Sequence, residues 1–417
     1  MIFRNQHPFV AVRRLLTALF APSTKSIISL FAALCLCAPG PLLAQTFTTL
    51  HLFGSGGNPH GALVEGADGN LYGTTYGYAG KENGMIFKIT PTGTFTMLHS
   101  GGAFTAGLTL GNDGNFYGTS WGGYGWVFKM TPSGTLTTLF TFGPLPSGRY
   151  PGGLVQAFDG NLYGTTAEGG TNGGGTLFRI TPGGALTTLY NFCSQSGCAD
   201  GAGPGPLIQG ADGNLYGITE VGGTGPCSQG CGTIFKITTN GTLSTLHSFH
   251  LADGGSPEGG LVQASDGNFY GTTYSGGPSN SNCDSGTCGT VFQMTPTGAL
   301  TTLHTFNYTD GANPGVAPIQ ARDGNFYGTT LRGGGCTTFA GGCGTIFKIT
   351  STGTLTMLHN FVKTDGALPM RLVQHTNGIR PMAEAQMRTT PAAATAARSS
   401  VCLFLKTSRT PGFSDQR

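Results

Sequence analysis

The chain has 417 residues, 73 of them glycine and only 9% charged, with a formal charge of +3. That excess sits at the ends: the body between Thr46 and Gly378 holds 11 Lys and Arg against 16 Asp and Glu. A mildly acidic body without clustered basic residues lacks the footprint of a nucleic-acid binder, and the regular return of Leu, Phe, Tyr, Ile and Thr between the glycines excludes a low-complexity coil.

Residues 1–44 read as a signal peptide. A basic segment ends at Lys25, Ile27 to Cys37 is apolar but too short to span a bilayer, and Leu42-Leu43-Ala44 places cleavage after Ala44. A retained N-terminal anchor is the alternative. Cys35 follows Ala-Ala-Leu, which disfavours lipidation.

From Thr46 the chain repeats. Asp-Gly-Asn-(Leu/Phe)-Tyr-Gly begins at Asp68, Asp113, Asp159, Asp212, Asp266 and Asp323. Between these copies lies Gly-x-x-Phe-(Lys/Arg/Gln)-(Ile/Met)-Thr, at Phe87, Phe128, Phe178, Phe235, Phe292 and Phe347. A unit of about 45 to 57 residues that recurs in this way is an array of one supersecondary element. In the copy from Gly260, Leu261-Val262-Gln263 predicts strand A, and Asp266-Gly267 a primed two-residue turn. Asn268 to Thr273 predicts strand B and Thr290 to Thr295 strand C. Pro296-Thr297-Gly298 suits a type I turn into strand D, Ala299 to Phe306.

Four-stranded antiparallel meanders at this period are the blades of an all-β propeller. A β-solenoid is the rival, with shorter units and fewer hairpin turns. Strands A and D each occur seven times, B and C six. The expected fold is therefore a seven-bladed β-propeller in which the N-terminal strand, Thr46 to Phe53, closes the ring. Its seventh blade is incomplete or degenerate, and six blades is the alternative. Residues 45–378 form the repeat domain. Residues 379–417 carry none of the repeat's phrases, read as frame-shifted or disordered, and do not look able to supply the missing B and C.

The A–B and C–D turns share one face and hardly vary in length. The B–C and D–A loops share the other face and vary widely, which is where binding is usually placed. Four close cysteine pairs lie there: Cys193/Cys198, Cys227/Cys231, Cys283/Cys288 and Cys336/Cys343. In an exported protein these read as local disulfides, and zinc is the alternative. His51, His99, His247, His304 and His359 occupy one strand-D position that holds Phe140 and Tyr190 in the other copies, so they read as packing residues. The repeated Asp reads as turn chemistry, not as a calcium ligand. No catalytic motif, cofactor site or metal site is expected.

More informative is the position after strand B, which reads Tyr76, Trp121, Ala167, Glu220, Tyr274 and Leu331. Trp121, Tyr124 and Trp126 fall in one B–C loop. Such aromatics stack on sugar rings or anchor a protein partner, or else cap the interblade core. Tyr76, Trp121, Tyr124, Trp126, Glu220 and Tyr274 are the ligand-binding candidates.

Gly259 to Thr273 (Gly-Gly-Leu-Val-Gln-Ala-Ser-Asp-Gly-Asn-Phe-Tyr-Gly-Thr-Thr) and Gly232 to Thr238 (Gly-Thr-Ile-Phe-Lys-Ile-Thr) resemble the GloVer tandem repeats of bacterial "choice-of-anchor" proteins, over about Thr46 to Gln374. The resemblance implies an exported bacterial repeat protein, often with an anchoring end, and supplies no catalytic residue. No anchor is recognisable here. The expectation is a secreted or cell-surface binder (periplasmic as the alternative), monomeric, without a membrane span once the signal is removed. Its partner is a glycan or a cell-surface protein, not nucleic acid. The alternative is a polysaccharide hydrolase or lyase using acids such as Glu168, Glu220 or Asp284.

Overall fold

Each repeat folds into the four strands its phrases predict. In the fifth, Leu261–Gln263, Phe269–Thr273, Thr290–Met294 and Leu300–Thr305 pair antiparallel in that order, as strands A to D. The structure is a computed structural model that describes residues 45–53, 58–59, 61–77, 84–283, 286–336, 341–362, 367–373, 380–386 and 400–407. The predicted signal peptide, residues 1–44, and the candidate acid Asp284 lie outside them. Six such blades follow one another, with strand B at Leu71–Tyr76, Phe116–Ser120, Leu162–Glu168, Leu215–Val221, Phe269–Thr273 and Phe326–Thr330.

A seventh four-stranded sheet joins the ends. Gln45–Phe53 pairs with Ser400–Thr407, which pairs with Arg380–Gln386, which pairs with Leu372–Val373. Two stretches of the tail thus take the middle places, contrary to the expectation drawn from their sequence. Strand pairing uses backbone groups that every residue carries, so a segment without the repeat's side chains can still complete a ladder. This sheet touches both blade 6 and blade 1, and Phe53 is buried among Leu63, Leu71 and Phe87 of blade 1.

The A–B turn differs from the primed hairpin expected. The N–H of Gly69 donates to the carbonyl of Gly66 (2.9 Å), and that of Gly66 to Asn70 (2.8 Å). In this turn only Gly69 has positive φ, 72°. A primed type I turn needs positive φ at both central residues; this is an ordinary turn over Ala67-Asp68 followed by a glycine in the left-handed region. Asp68 therefore serves as an anchor. Its carboxylate accepts bonds from the Asn70 N–H (3.1 Å) and the Tyr72 hydroxyl (2.9 Å). The Tyr-to-Asp bond recurs in all six blades, at 2.8 to 2.9 Å. The repeated lysines join it: Lys129 lies 2.8 Å from Asp113, and Lys236 lies 3.2 Å from Asp212. The C–D turns do follow the type I pattern, with Gly93 N–H donating to the carbonyl of Thr90 across Pro91.

The core lies between blades. A strands of consecutive blades touch at the centre, whereas the D strands alternate half-buried and exposed residues at the rim. Strand B is buried at five successive positions in every blade, because both of its faces meet protein. Its tyrosine stacks on the first residue of the next blade's strand B: Tyr72 on Phe116, and Tyr270 on Phe326, with centroids 4.2 and 3.9 Å apart.

Two polar contacts tie neighbouring blades. The middle Thr of strand B donates to a carbonyl at the head of the next blade's strand A: Thr74 to Ala106 (2.8 Å), Thr165 to Gly205 and Thr272 to Val316 (2.9 Å each). Blade 4 has Ile218 at that position and no hydroxyl to give. On the opposite face, the strand-A Gln reaches back to the preceding blade's turn. Gln209 Oε1 accepts from Phe158 N–H (2.7 Å), Gln263 from Ala211 and Gln320 from Ser265 (2.8 Å each).

Candidate functional site

The variable loops converge on one face and are tied down locally. All four cysteine pairs are disulfide-bonded, Cys193–Cys198, Cys227–Cys231, Cys283–Cys288 and Cys336–Cys343, which takes their sulfurs out of any zinc site. Three of them stand where consecutive blades meet. The carbonyls of Cys231, Cys288 and Cys343 accept the N–H groups of Ser256, Asn313 and Leu368 (2.7 to 2.9 Å), the residues just before Pro257, Pro314 and Pro369. Tyr150 uses the carbonyl of Tyr124 in the same way (3.2 Å). All four residues have positive φ, between 47° and 58°. A side chain at this pre-proline position is thus held in a costly conformation by the scaffold, on the loop face.

Between blades 2 and 3 these rules assemble an aromatic shelf. Trp121 follows strand B of blade 2, and odd-numbered positions of that strand point toward blade 3, as Thr119 does in donating to Gly152 (2.9 Å). The indole N–H of Trp121 donates to the carbonyl of Pro151 (2.9 Å), which fixes the ring. Its centroid lies 5.2 Å from that of Tyr150, at an interplanar angle of 48°. Trp121 remains 37% exposed, Tyr124 47% and Leu145 of the adjoining D–A loop 65%. Beyond Tyr150, the Arg149 guanidinium sits 5.4 Å over the tyrosine ring and pairs with the carboxylate of Glu168. The row Trp121, Tyr150, Arg149, Glu168 is an apolar surface ending in a neutralised ion pair.

Between blades 4 and 5 the same face carries two carboxylates. Glu220 lies near the end of strand B in blade 4, and Glu258 at the head of strand A in blade 5, directly after Pro257. Both residues are exposed as a whole, but the carboxyl end of Glu258 is drawn in against the neighbouring backbone. The walls beside them are glycine: Glu220 Oε2 is 4.0 Å from where a β-carbon of Gly203 would stand, and Glu258 Oε2 is 3.9 Å from that of Gly315. Burial of the carboxyl, and next the negative charge of Glu220, push Glu258 up from 4.5 to about 7.

The residues predicted from sequence divide between these places. Trp121 and Tyr124 belong to the shelf and Glu220 to the acid pair. Tyr76 ends strand B of blade 1, and Tyr274 follows strand B of blade 5 with its carbonyl accepting the amide of Asn313 (3.0 Å). Trp126 is not a loop residue. It opens strand C, Trp126–Met130, and packs on Phe104 and Phe128 with centroids 6.0 and 5.3 Å away, since a strand-C residue faces its neighbours in the sheet core. Glu168 and Glu220 stand in separate blades, Glu168 already paired with Arg149. The strand-D histidines pack edge-on against the Phe two residues on, His247 on Phe249 and His304 on Phe306. They also bond the D–A loop, His247 to Asp253 (3.0 Å) and His304 to Asp310 (2.9 Å). The hydroxyl of Tyr190 reaches Asp200 identically (2.8 Å). Tyr150, Arg149 and Glu258 were missed. They flank prolines at the head of strand A, where the copies differ as much as they do after strand B.

No curated protein matches the chain. Among solved structures it is similar to a gluconolactonase-family protein (16% identity, TM-score 0.42, covering 70% of this chain and 89% of that one). A gluconolactonase from Xanthomonas campestris is similar at 12% identity and TM-score 0.41, covering 88% of this chain and 93% of that one. A puromycin hydrolase shares 13% identity at TM-score 0.47, over 84% of this chain and 52% of that one. No activity passes to this chain from likenesses this distant. A family profile, the Gloeobacter/Verrucomicrobia repeat, matches residues 106–287 and 198–381 in two overlapping copies. Its repeats are the blades described above, and the chain belongs to the Gloeobacter/Verrucomicrobia repeat family.

Proposed function

We propose that this protein is a non-catalytic, exported glycan-binding propeller, monomeric and working at the cell surface or in the secreted fraction. The observation that carries the reading is the Trp121 indole. It is fixed by a hydrogen bond to Pro151, extended by Tyr150, and left partly open to solvent beside Tyr124. A pre-oriented aromatic face is what stacking on a sugar ring requires, because no side-chain freedom is lost on binding. Four disulfides fit an oxidising compartment, with the periplasm as the alternative. A glycan array probed with the purified protein tests the reading. Binding that survives Trp121→Ala unchanged would remove the shelf from consideration.

A second reading rests on Glu258 and Glu220. A carboxyl poised near 7 beside a second one is the arrangement that general acid catalysis of polysaccharide cleavage uses. Release of reducing ends from a polysaccharide panel, abolished by Glu258→Gln, would favour it over simple binding.

A further inference from the structure

We infer that the glycan accepted by the shelf between blades 2 and 3 is uncharged, and that uronate or sulfated polymers are rejected; this rests on the glycan-binding reading above. A sugar stacked on Trp121 and Tyr150 lies beside the Arg149–Glu168 pair. Arg149 is the cation of this row, and it is committed on two sides, to the Tyr150 ring and to the Glu168 carboxylate. Glu168 already balances the guanidinium's charge, so an incoming carboxylate or sulfate finds no unmatched cation and approaches against the negative charge of Glu168. Hydroxyl groups meet no such conflict. They accept from the guanidinium and donate to the carboxylate, and the pair stays intact.

The rest of the loop face points the same way. Glu220 and Glu258 lie on it two blades further on, and their potential opposes a polyanion. The body of the repeats is itself mildly acidic. Leu145 and Tyr124 on the outer side add apolar area but no cation.

Only two tryptophans occur in the chain, so Trp126→Phe leaves Trp121 as the reporter. The purified Trp126→Phe protein is titrated with neutral hexasaccharides (gluco-, xylo- and manno-configured) and with oligogalacturonate and oligoalginate of equal length, following indole fluorescence. At least one neutral oligosaccharide is expected to bind roughly tenfold or more tightly than either uronate. Glu168→Gln, which frees the guanidinium without changing shape, is then expected to raise uronate affinity at least about fivefold at low salt. Tighter uronate binding by the Trp126→Phe protein, or no gain with Glu168→Gln, overturns the inference and leaves glycan binding standing. Silence with every sugar, in a protein whose thermal unfolding is unchanged, removes the glycan reading and this inference together.

Discussion

Glu258→Gln is predicted to make the protein more stable above pH 7 and to leave it nearly unchanged below pH 4.5. In the unfolded chain a glutamate releases its proton near 4.5, whereas in the fold Glu258 holds it up to about 7. Between these values the folded state binds more protons, so stability falls as pH rises, and the loss is complete above the folded value. For a dry group the shift would correspond to about 3 kcal/mol. Glu258 is exposed on one side, and solvent screening reduces this to on the order of 1 kcal/mol. Glutamine keeps the shape and does not titrate. Urea unfolding midpoints measured from pH 4 to 8.5 should therefore diverge, with the variant ahead by about 1 kcal/mol at pH 8. Glu220→Gln should move the wild-type inflection toward lower pH, since it removes the neighbouring charge. Parallel curves across the whole range would show that the two carboxylates do not interact and that the mouth between blades 4 and 5 is better solvated than its glycine walls imply.

Three further outcomes are expected. Burial alone would raise the Asp212 carboxyl, but its bonds from Asn214, Tyr216 and Lys236 outweigh that and lower it to about 2. Its stabilising contribution should be present above 3.8 and disappear as pH falls through 2, so Asp212→Asn should flatten the acid limb of a pH–stability curve. Gln263→Ala should cost about 0.5 to 1 kcal/mol by loosening the tie to the Ala211 amide on the turn face, read as a lowered urea midpoint without loss of sugar binding. Reducing the disulfides should lower the melting temperature by several degrees, at about 2 kcal/mol per loop, and hydrogen exchange should quicken at Ser256, Asn313 and Leu368, whose amides bond cysteine carbonyls.

The repeat phrases made the blades legible because each is a set of backbone-dictated residues: Asp and Tyr that bond one another, Gly with positive φ, and Thr that ties one blade to the next. The strand-D position that accepts His, Tyr or Phe was recognisable as packing for the same reason, by comparing copies within one chain. Trp126 misled because a loop drawn from sequence ended one residue too late, and that residue decides whether the ring faces solvent or Phe104. Glu258 was invisible because its partner, Glu220, comes from the preceding blade, 38 positions earlier in the chain. Tyr150 and Arg149 likewise gain meaning only when blade 3 is set beside blade 2. Pairings across a seam leave no local pattern.

Ile218 gives the ring an uneven perimeter. Every other repeat-bearing blade fastens its successor with a threonine hydroxyl, and here an aliphatic group stands in its place. Among the joints that follow the six repeat-bearing blades this one lacks the tie, so transient opening there should begin with Ala202–Gln209 drawing away from Leu261–Gln263. That is also where two acids crowd together, and a rise in pH would ease the same gap apart.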